Sequence, residues 1–184
     1  MDISDILLRI RAGDRQSFSQ VVHRYQHALF GFLGRMGLSR GQTEDLAQET
    51  FLLAWQHLDQ YQSNLGKFST WLFTIARNLA LNEIARAGNR LELPAGDELQ
   101  EAACDRLQPQ ETLAWTQRGQ QLHAALRMLP VTDRCVLALA YLQDMDMSEI
   151  ARIEGCTVGA VKTRLHRARS RLSQMLEKQH DRRQ

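Results

Sequence analysis

The side chains best able to do chemistry in this chain are cationic and lie near its C-terminus. Between positions 158 and 184 there are eight lysines and arginines and two carboxylates. Apolar residues recur there at helical spacing, namely Val158, Val161, Leu165, Ala168 and Leu172, so that most of the cations fall outside this stripe. Guanidinium and ammonium groups are the side chains that contact DNA phosphates and base edges. An isolated basic helix more often only faces solvent. The residues that precede this helix in the sequence therefore have to show whether it binds DNA.

The residues that precede this helix predict a helix-turn-helix. Asp146 is a candidate N-cap of a short helix, and Glu149, three positions later, completes a capping-box pattern. Three small or apolar residues supply the buried side of that helix: Ile150, Ala151 and Ile153. Gly155 permits the positive φ of a tight turn, and Thr157 can cap the basic helix. A basic helix held against a short partner helix is the geometry that enters a DNA major groove, so this combination favours DNA contact.

The N-terminal half predicts further amphipathic helices. The apolar spacing indicates a short helix over 3–10 that Gly13 ends, a longer helix from about 15 to 36, and a third that opens at Thr43 or Glu44 after a break at 38–41. The third helix carries a mixed acidic, amide and apolar stripe, composed of Asp45, Gln48, Glu49 and Leu52. Such a stripe suggests a protein contact, although on its own a solvated face is the more common interpretation.

A loop over 59–67 leads into a fourth helix that begins near Phe68. Its buried side is predicted to consist of Phe68, Leu72, Ile75, Ala76, Leu79 and either Glu83 or Ile84. On another face, Trp71 and Thr74 could contact stacked or unstacked bases, and Asn78 could read a base edge, with Leu81 beside them. An aromatic-rich helix is more often core, but Arg77, Arg86 and Arg90 near this face also fit nucleic acid.

Composition sets the outer limits of the interpretation. The 184 residues are 43% hydrophobic and 24% charged, which is typical of a soluble globular protein. No apolar run approaches the about 20 residues of a membrane span, and the N-terminus lacks the order of a signal peptide, so we expect a cytoplasmic protein. The cysteines, Cys104, Cys135 and Cys156, are odd in number and lack CxxC spacing, which argues against a disulfide framework or a zinc site. His23 and His27 have a metal-compatible spacing but no partner ligand nearby, so we expect no metal and no cofactor.

The segment 91–111 predicts a flexible acidic linker. From 91 to 112 there are six carboxylates and one arginine, Arg106, together with two of the three prolines of the chain. The expected fold class is therefore all-α, with two small helical domains at 1–90 and 112–184.

Two sets of motifs resemble a known family. EDLAQETFLLAW at 44–55, followed by FSTWLFTIARN at 68–78, is similar to region 2 of the extracytoplasmic-function (ECF, group 4) sigma factors of bacterial RNA polymerase, in the sigma-70 family. A second set resembles region 4 of the same family, whose helix-turn-helix reads DNA: Leu129 and Pro130, Arg134 and Val136, Tyr141, Ile150 and Ala151, and VGAVKTRLHRAR at 158–169. The resemblance covers nearly the whole chain outside the linker.

The resemblance implies a role for each candidate residue. The stripe of Asp45, Gln48, Glu49 and Leu52 would bind the polymerase clamp. Asn78 would take a flipped base of the minus-10 element, which the loop before Phe68 would help to hold. Trp71, Thr74 and Arg77 would also bind this element. The residues that would read the minus-35 element are Lys162, Thr163, His166 and Arg167, and Arg164 and Arg169 would contact phosphate or pack. The linker would thread toward the RNA exit path.

The implied function is that of a sigma factor, a transcription initiation factor and not an enzyme. Its partners would be the polymerase core, through the beta-prime clamp and the beta flap, promoter DNA, and an anti-sigma factor that clamps both domains. No small-molecule substrate and no membrane insertion are expected. Two alternatives stay open: a dimeric regulator that binds operators tightly without polymerase, and a helical adaptor that binds only proteins. An enzyme is a distant third, since no phosphate-binding glycine loop, paired nucleophile or metal cluster is visible.

Overall fold

The computed structural model describes residues 2–90, 119, 121–122 and 124–181, and these residues form helices and short turns without any strand. The helices are α1 (Ile3–Arg11), α2 (Phe18–Arg35), α3 (Arg40–Gln56), α4 (Phe68–Arg90), α5 (Val131–Leu142), α6 (Met147–Glu154) and α7 (Val158–Asp181), with a helical turn at 124–127 before α5. The all-α class is confirmed. The predicted linker at 91–111 and Cys104 lie outside the described residues, as do the domain boundaries drawn there.

Local capping explains how the first two helices begin. The Asp2 carboxylate accepts a hydrogen bond from the Ile3 N–H at 2.7 Å and caps α1, which the apolar spacing predicted correctly. Gly13, with φ of 103°, follows α1 in the turn that ends it. The second predicted helix is divided, because a 3-10 turn at Arg15–Ser17, capped by Asp14, precedes α2.

The predicted start of α3 was wrong. The helix begins at Arg40 and not at Thr43 or Glu44, because Ser39 is its N-cap. The Ser39 hydroxyl oxygen accepts from the Gln42 N–H at 3.3 Å, and the Gln42 side-chain oxygen accepts from the Ser39 N–H at 2.9 Å. This reciprocal cap stabilises the first turn despite Gly41, whose helix propensity is only about 1 kcal/mol worse than that of alanine.

Helices α1 to α4 enclose one aromatic-rich core. The Phe32 and Phe73 rings meet edge to face with centroids 5.3 Å apart, and both side chains are fully buried. The predicted inner residues Phe68, Leu72 and Ala76 are buried, as are others that the sequence did not single out, among them Ala47, Phe51, Phe73 and Ala80. Edge-to-face pairs between such rings stabilise the packing beyond the area that they bury.

Helices α5 to α7 form the second domain. Val136, Leu139, Ile150, Val161, Leu165 and Ala168 are buried between them. Val158, predicted as the first member of the inner stripe of α7, is 39% exposed. The reason is its position in the first turn of α7, directly after the turn at Gly155.

The two domains pack directly on each other. Helix α4 lies against α6, and α2 lies against α5. Gly37, which has φ of 91°, faces the Arg134 guanidinium of α5, and any Cβ there would collide with it. A side-chain hydrogen bond runs from Gln143 to the carbonyl of Ala28 in α2 at 3.1 Å. The sequence did not predict this arrangement.

Candidate nucleic-acid and protein interfaces

The helix-turn-helix is built as the sequence predicted. The Asp146 carboxylate accepts from the N–H groups of Ser148 at 2.8 Å and Glu149 at 2.9 Å, and the Glu149 carboxylate accepts from the Asp146 N–H at 3.1 Å. Hydrogen bonds from the Ser148 hydroxyl and the Glu149 N–H lower the pKa of Asp146. Gly155 has φ of 63° and ends α6 in the left-handed conformation. The Thr157 hydroxyl oxygen accepts from the Ala160 N–H at 3.2 Å and caps α7.

Helix α7 presents its candidate base-reading residues to solvent. Lys162, Thr163, His166 and Arg167 are all exposed. Their spacing puts Lys162 beside His166 and Thr163 beside Arg167, one turn apart. Within the described chain neither Lys162 nor Arg167 forms an ion pair. Two cations, Lys162 and Arg167, are therefore available on the outer surface of the second helix of a helix-turn-helix.

The two residues assigned to phosphate or packing differ from each other. Arg164 is half-buried and donates to the Glu154 carboxylate at 2.6 Å. Arg169 is exposed and lies at the rim of an apolar groove. In this arrangement Arg164 is engaged inside the protein and Arg169 is accessible.

The candidate minus-10 residues lie on α4 and are less accessible. Trp71 is half-buried, with its ring 5.6 Å from Tyr61 and 5.5 Å from Phe68, centroid to centroid. The Thr74 hydroxyl donates to the Thr70 carbonyl at 2.7 Å. Asn78 is exposed, and its side-chain oxygen accepts from Arg77 at 3.3 Å.

Arg77 is held by a buried carboxylate of the other domain. Its Nε lies 2.8 Å from one oxygen of Glu154 and its Nη2 lies 3.3 Å from the other oxygen. Burial by itself lowers the pKa of Arg77, but the hydrogen bonds and charge of Glu154 outweigh it and the pKa is raised. Burial, with Glu154 nearby, also raises the pKa of the Cys135 thiol far above its usual range. That cysteine is therefore a thiol and not a reactive thiolate.

Sequence reasoning missed the buried acids of α6. The Glu154 side chain is completely buried and that of Glu149 is 8% exposed. One signal could have found Glu154: it follows the buried Ile150 by four positions, so it belongs to the inner side of the helix. A carboxylate there requires a cationic partner.

The mixed stripe of α3 is open. Asp45, Gln48, Glu49 and Leu52 are all exposed, and Leu52 is 54% exposed although it is apolar. Leu46, Ala47, Thr50 and Ala54 on the other side of the helix are buried. The structure brings the four predicted residues together on one accessible surface.

A second open surface is an apolar groove in the C-terminal domain, with a volume of about 470 Å³. It lies between α5, α7 and residues that precede α5, and Arg35 of α2 also lines it. Its apolar lining includes Leu122, Leu126, Leu137, Tyr141, Leu142 and Leu172. Leu122, Tyr141 and Leu142 are 41%, 56% and 41% exposed. The sequence-based interpretation located no such groove.

Comparison with known proteins agrees with this geometry. The family model Sigma-70 region 2 matches residues 21–90, and the model Sigma-70, region 4 matches residues 119–172. The chain is 30% identical over 183 residues to the ECF RNA polymerase sigma factor SigW of Bacillus subtilis, covering 96% of this chain and 97% of that relative. The chain belongs to the ECF sigma factors of the sigma-70 family.

Other proteins similar to this sigma factor support the same family assignment. It is 29% identical over 176 residues to the RNA polymerase sigma-H factor of Pseudomonas aeruginosa, covering 92% of this chain and 91% of that one. Among solved structures it resembles CnrH in complex with the cytosolic domain of CnrY, with a TM-score of 0.68, 26% identity and coverage of 94% and 96%. It also resembles the sigma factor RpoE in complex with the anti-sigma factor NepR from Bartonella quintana, with a TM-score of 0.69, 26% identity and coverage of 88% and 98%.

Membership of the family establishes the general activity. Sigma factors direct the initiation of transcription at promoters, so this sigma factor is a specificity factor of transcription initiation. Among the helices that the structure describes, none combines the length and the apolar character that crossing a bilayer requires.

Proposed function

We propose that this sigma factor binds the polymerase core through the α3 stripe, reads the minus-35 element as duplex with α7, and holds the minus-10 element as a single strand against α4. The observation that carries the proposal is the outer surface of α7, where Lys162, Thr163, His166 and Arg167 are exposed while Val161, Leu165 and Ala168 anchor the helix in the domain core. A rigid helix with free cations is suited to a major groove.

Recognition of the minus-35 element would rest on hydrogen bonds from α7 to base edges. Lys162 and Arg167 carry the donors that pair best with guanine, and each good base contact discriminates by about 1–3 kcal/mol. The exposed Arg169 would contact phosphate, which adds affinity without sequence information.

Recognition of the minus-10 element would use the exposed amide of Asn78 and the ring of Trp71. The loop before α4 is held by its own hydrogen bonds, because the Tyr61 hydroxyl donates to the Gly66 carbonyl at 3.1 Å and Arg11 donates to the Tyr61 carbonyl. A loop held in this way at the start of α4, together with the exposed amide of Asn78 on the same helix, supports a site for an extruded base. Extrusion is cheapest where the duplex is weak, so recognition would be coupled to strand opening.

The two open protein-facing surfaces support two contacts with the polymerase. The α3 stripe offers carboxylates around the exposed Leu52 and would bind the beta-prime clamp. The apolar groove of the C-terminal domain, with Arg134 and Arg169 in its lining, would take an amphipathic helix of the beta flap. Binding at two sites raises the effective concentration of each contact, so neither needs high affinity by itself.

Control by an anti-sigma factor is proposed from the structural relatives. RpoE from Bartonella quintana was solved with its anti-sigma factor NepR, and its chain is covered over 98% of its length by the likeness. A protein that covers both the α3 stripe and the apolar groove would exclude the polymerase from both surfaces.

Transcription in vitro tests the proposal. Purified core polymerase would transcribe a genomic DNA library with and without the protein, and the transcript starts would be sequenced. We expect starts that need the protein and share two spaced upstream elements. An absence of new starts, together with footprints on two-fold symmetric sites without polymerase, would contradict the proposal and favour an operator-binding regulator.

A further inference from the structure

We propose that Asp133 is a positioning residue for minus-35 recognition: its buried carboxylate holds Arg171 and so fixes the angle at which α7 enters the major groove. Asp133 is 6% exposed and lies in the first turn of α5, whereas Arg171 belongs to α7. Neither residue is among those proposed to read bases. This inference rests on the proposed function, because it assumes that α7 reads the minus-35 element.

The first observation is the geometry of this ion pair. The Arg171 Nη1 donates to the Asp133 Oδ2 at 2.7 Å. The Asp133 side chain is 9% exposed and that of Arg171 is 51% exposed, so a buried acceptor holds a donor that is open to solvent on one side. Hydrogen bonds between charged groups are short, directional and about twice as strong as neutral ones. The bond therefore restrains where this part of α7 lies relative to α5.

A second ion pair restrains α7 on the same side. Arg164 donates to the fully buried carboxylate of Glu154, in α6, at 2.6 Å. Arg164 precedes Arg171 by two helical turns, so both arginines leave α7 from one side, about 10 Å apart along its axis. Because α6 holds one arginine and α5 holds the other, α7 has two fixed points. Two points along a helix define its tilt, which a single point does not.

The apolar stripe of α7 does not supply this restraint by itself. Its buried members are Val161, Leu165 and Ala168, none of which is larger than leucine. Hydrophobic packing is non-directional, so a narrow stripe lets a helix roll and slide by small amounts. Hydrogen bonds to base edges weaken steeply when the donor is misaligned. Base reading by residues 162–167 therefore depends on the ion pairs that fix the tilt of α7.

The carboxylate also determines what Arg171 can bind. Arg171 follows Arg167 by four positions, so the two guanidinium groups are neighbours on α7. While Asp133 holds Arg171, that charge is neutralised inside the protein. Without the carboxylate, Arg171 becomes a free cation beside the base-reading surface, where phosphate attracts it whatever the sequence. Loss of Asp133 should then raise non-specific affinity for DNA and lower discrimination between sequences.

The first measurement is discrimination between promoters. Full-length Asp133→Asn and Arg171→Gln would each be combined with core polymerase. Transcription from the mapped promoter would be divided by transcription from the same promoter with single substitutions in its minus-35 element. We expect each variant to lower this ratio about five- to tenfold, as the loss of roughly one base contact does. A ratio within one preparation does not change when a destabilised variant supplies less active protein.

The second measurement is the affinity of the free chain for a scrambled duplex, by fluorescence anisotropy. We expect Asp133→Asn to bind about two- to threefold more tightly and Arg171→Gln to bind less tightly by a similar factor, because phosphate contacts depend on charge. A shared loss of discrimination with opposite changes in affinity is the signature of positioning. The matched controls, Glu177→Gln and Arg15→Gln, remove the same charges from exposed positions and should leave the ratio unchanged.

The double variant, Asp133→Asn with Arg171→Gln, tests whether the two residues act as a unit. We expect it to discriminate no worse than either single variant, because each of the three lacks the same contact. An unchanged ratio in the folded single variants would overturn the inference, and so would additive losses in the double variant. If circular dichroism shows that Asp133→Asn does not fold, Arg171→Gln decides, because its side chain is half open to solvent.

Arg167→Ala separates this inference from the proposed function. If Arg167→Ala relaxes the minus-35 preference while Asp133→Asn and Arg171→Gln do not, only the positioning role fails. If none of the three variants changes the preference, the proposed reading of the minus-35 element by α7 fails as well.

Discussion

Helices α4 and α7 carry similar DNA-binding chemistry, but they differ in what lies against them. The candidate residues of α7 are exposed, and within the described chain Lys162 and Arg167 form no ion pair. Arg77 of α4 is instead bound to Glu154, and its side chain is 16% exposed. A cationic helix is therefore not by itself an accessible DNA site. The element that packs against the helix determines whether its cations are exposed.

The difference has a physical origin in how much of each helix is apolar. Helix α7 has a narrow apolar stripe that α5 and α6 cover, so its opposite side remains in water. Helix α4 buries Phe68, Leu72 and Phe73 in its own domain and also contacts α6. With neighbours on two sides, α4 retains only a limited free surface, on which Asn78 lies.

The largest effect is expected from a substitution that disrupts the core beneath α4 and leaves α7 unchanged. Phe73→Ala leaves a cavity next to Phe32 in the core of the N-terminal domain, which should lower the free energy of unfolding by about 3–5 kcal/mol. We expect loss of minus-10 binding while binding of minus-35 duplex by α7 persists. Urea unfolding followed by circular dichroism, together with duplex binding by fluorescence anisotropy, checks this. Equal loss of both DNA activities would show that the helices do not act separately.

The next effect concerns base readout by the exposed helix. Arg167→Ala should lower promoter-specific transcription by an amount that corresponds to about 1–3 kcal/mol, because a base contact is lost. Transcription from promoters with single substitutions in the minus-35 element measures it. Arg15→Ala, which removes an exposed cation outside both helices, is the control. An unchanged promoter preference in Arg167→Ala would contradict base recognition by α7.

A smaller effect is expected at the α3 stripe, which is proposed to bind the polymerase core and not DNA. Asp45→Arg reverses an exposed charge and should weaken binding to the polymerase core by about 1–2 kcal/mol without unfolding the chain. Binding of the labelled protein to the core measures the loss, and circular dichroism verifies folding. Normal affinity for the core would exclude this stripe from the interface.

The smallest effect is a pH dependence of the helix-turn-helix. Hydrogen bonds from Ser148 and Glu149 lower the pKa of Asp146 in the folded state. The stabilisation is therefore fully present above the unfolded pKa of about 3.9 and is lost as the pH falls through the lower folded value. Thermal unfolding between neutral and acidic pH should show a slightly steeper decline for the unchanged protein than for Asp146→Asn. Identical dependence of the unfolding temperature on pH in the two proteins would show that this cap does not contribute to the stability of the folded state.

The local features of the fold follow directly from the sequence. The capping box of Asp146 and Glu149, the left-handed Gly155 and the cap at Thr157 each depend on residues within four positions of one another. The exposed stripe of α3 likewise follows from helical periodicity. The start of α3 was predicted wrongly because the segment 38–41 was interpreted as a break, whereas the reciprocal hydrogen bonds of Ser39 and Gln42 determine where that helix begins.

The sequence by itself determined the all-α class, the helix-turn-helix and the exposed stripe of α3, because caps, turns and periodicity act over a few residues. Only the tertiary structure decided that Glu154 faces Arg77, 77 positions away, and that Glu149 faces Thr70, 79 positions away. A buried carboxylate takes whichever cation the packing of the domains brings to it. No local pattern encodes that distance, so the covered state of α4 could be found only in three dimensions.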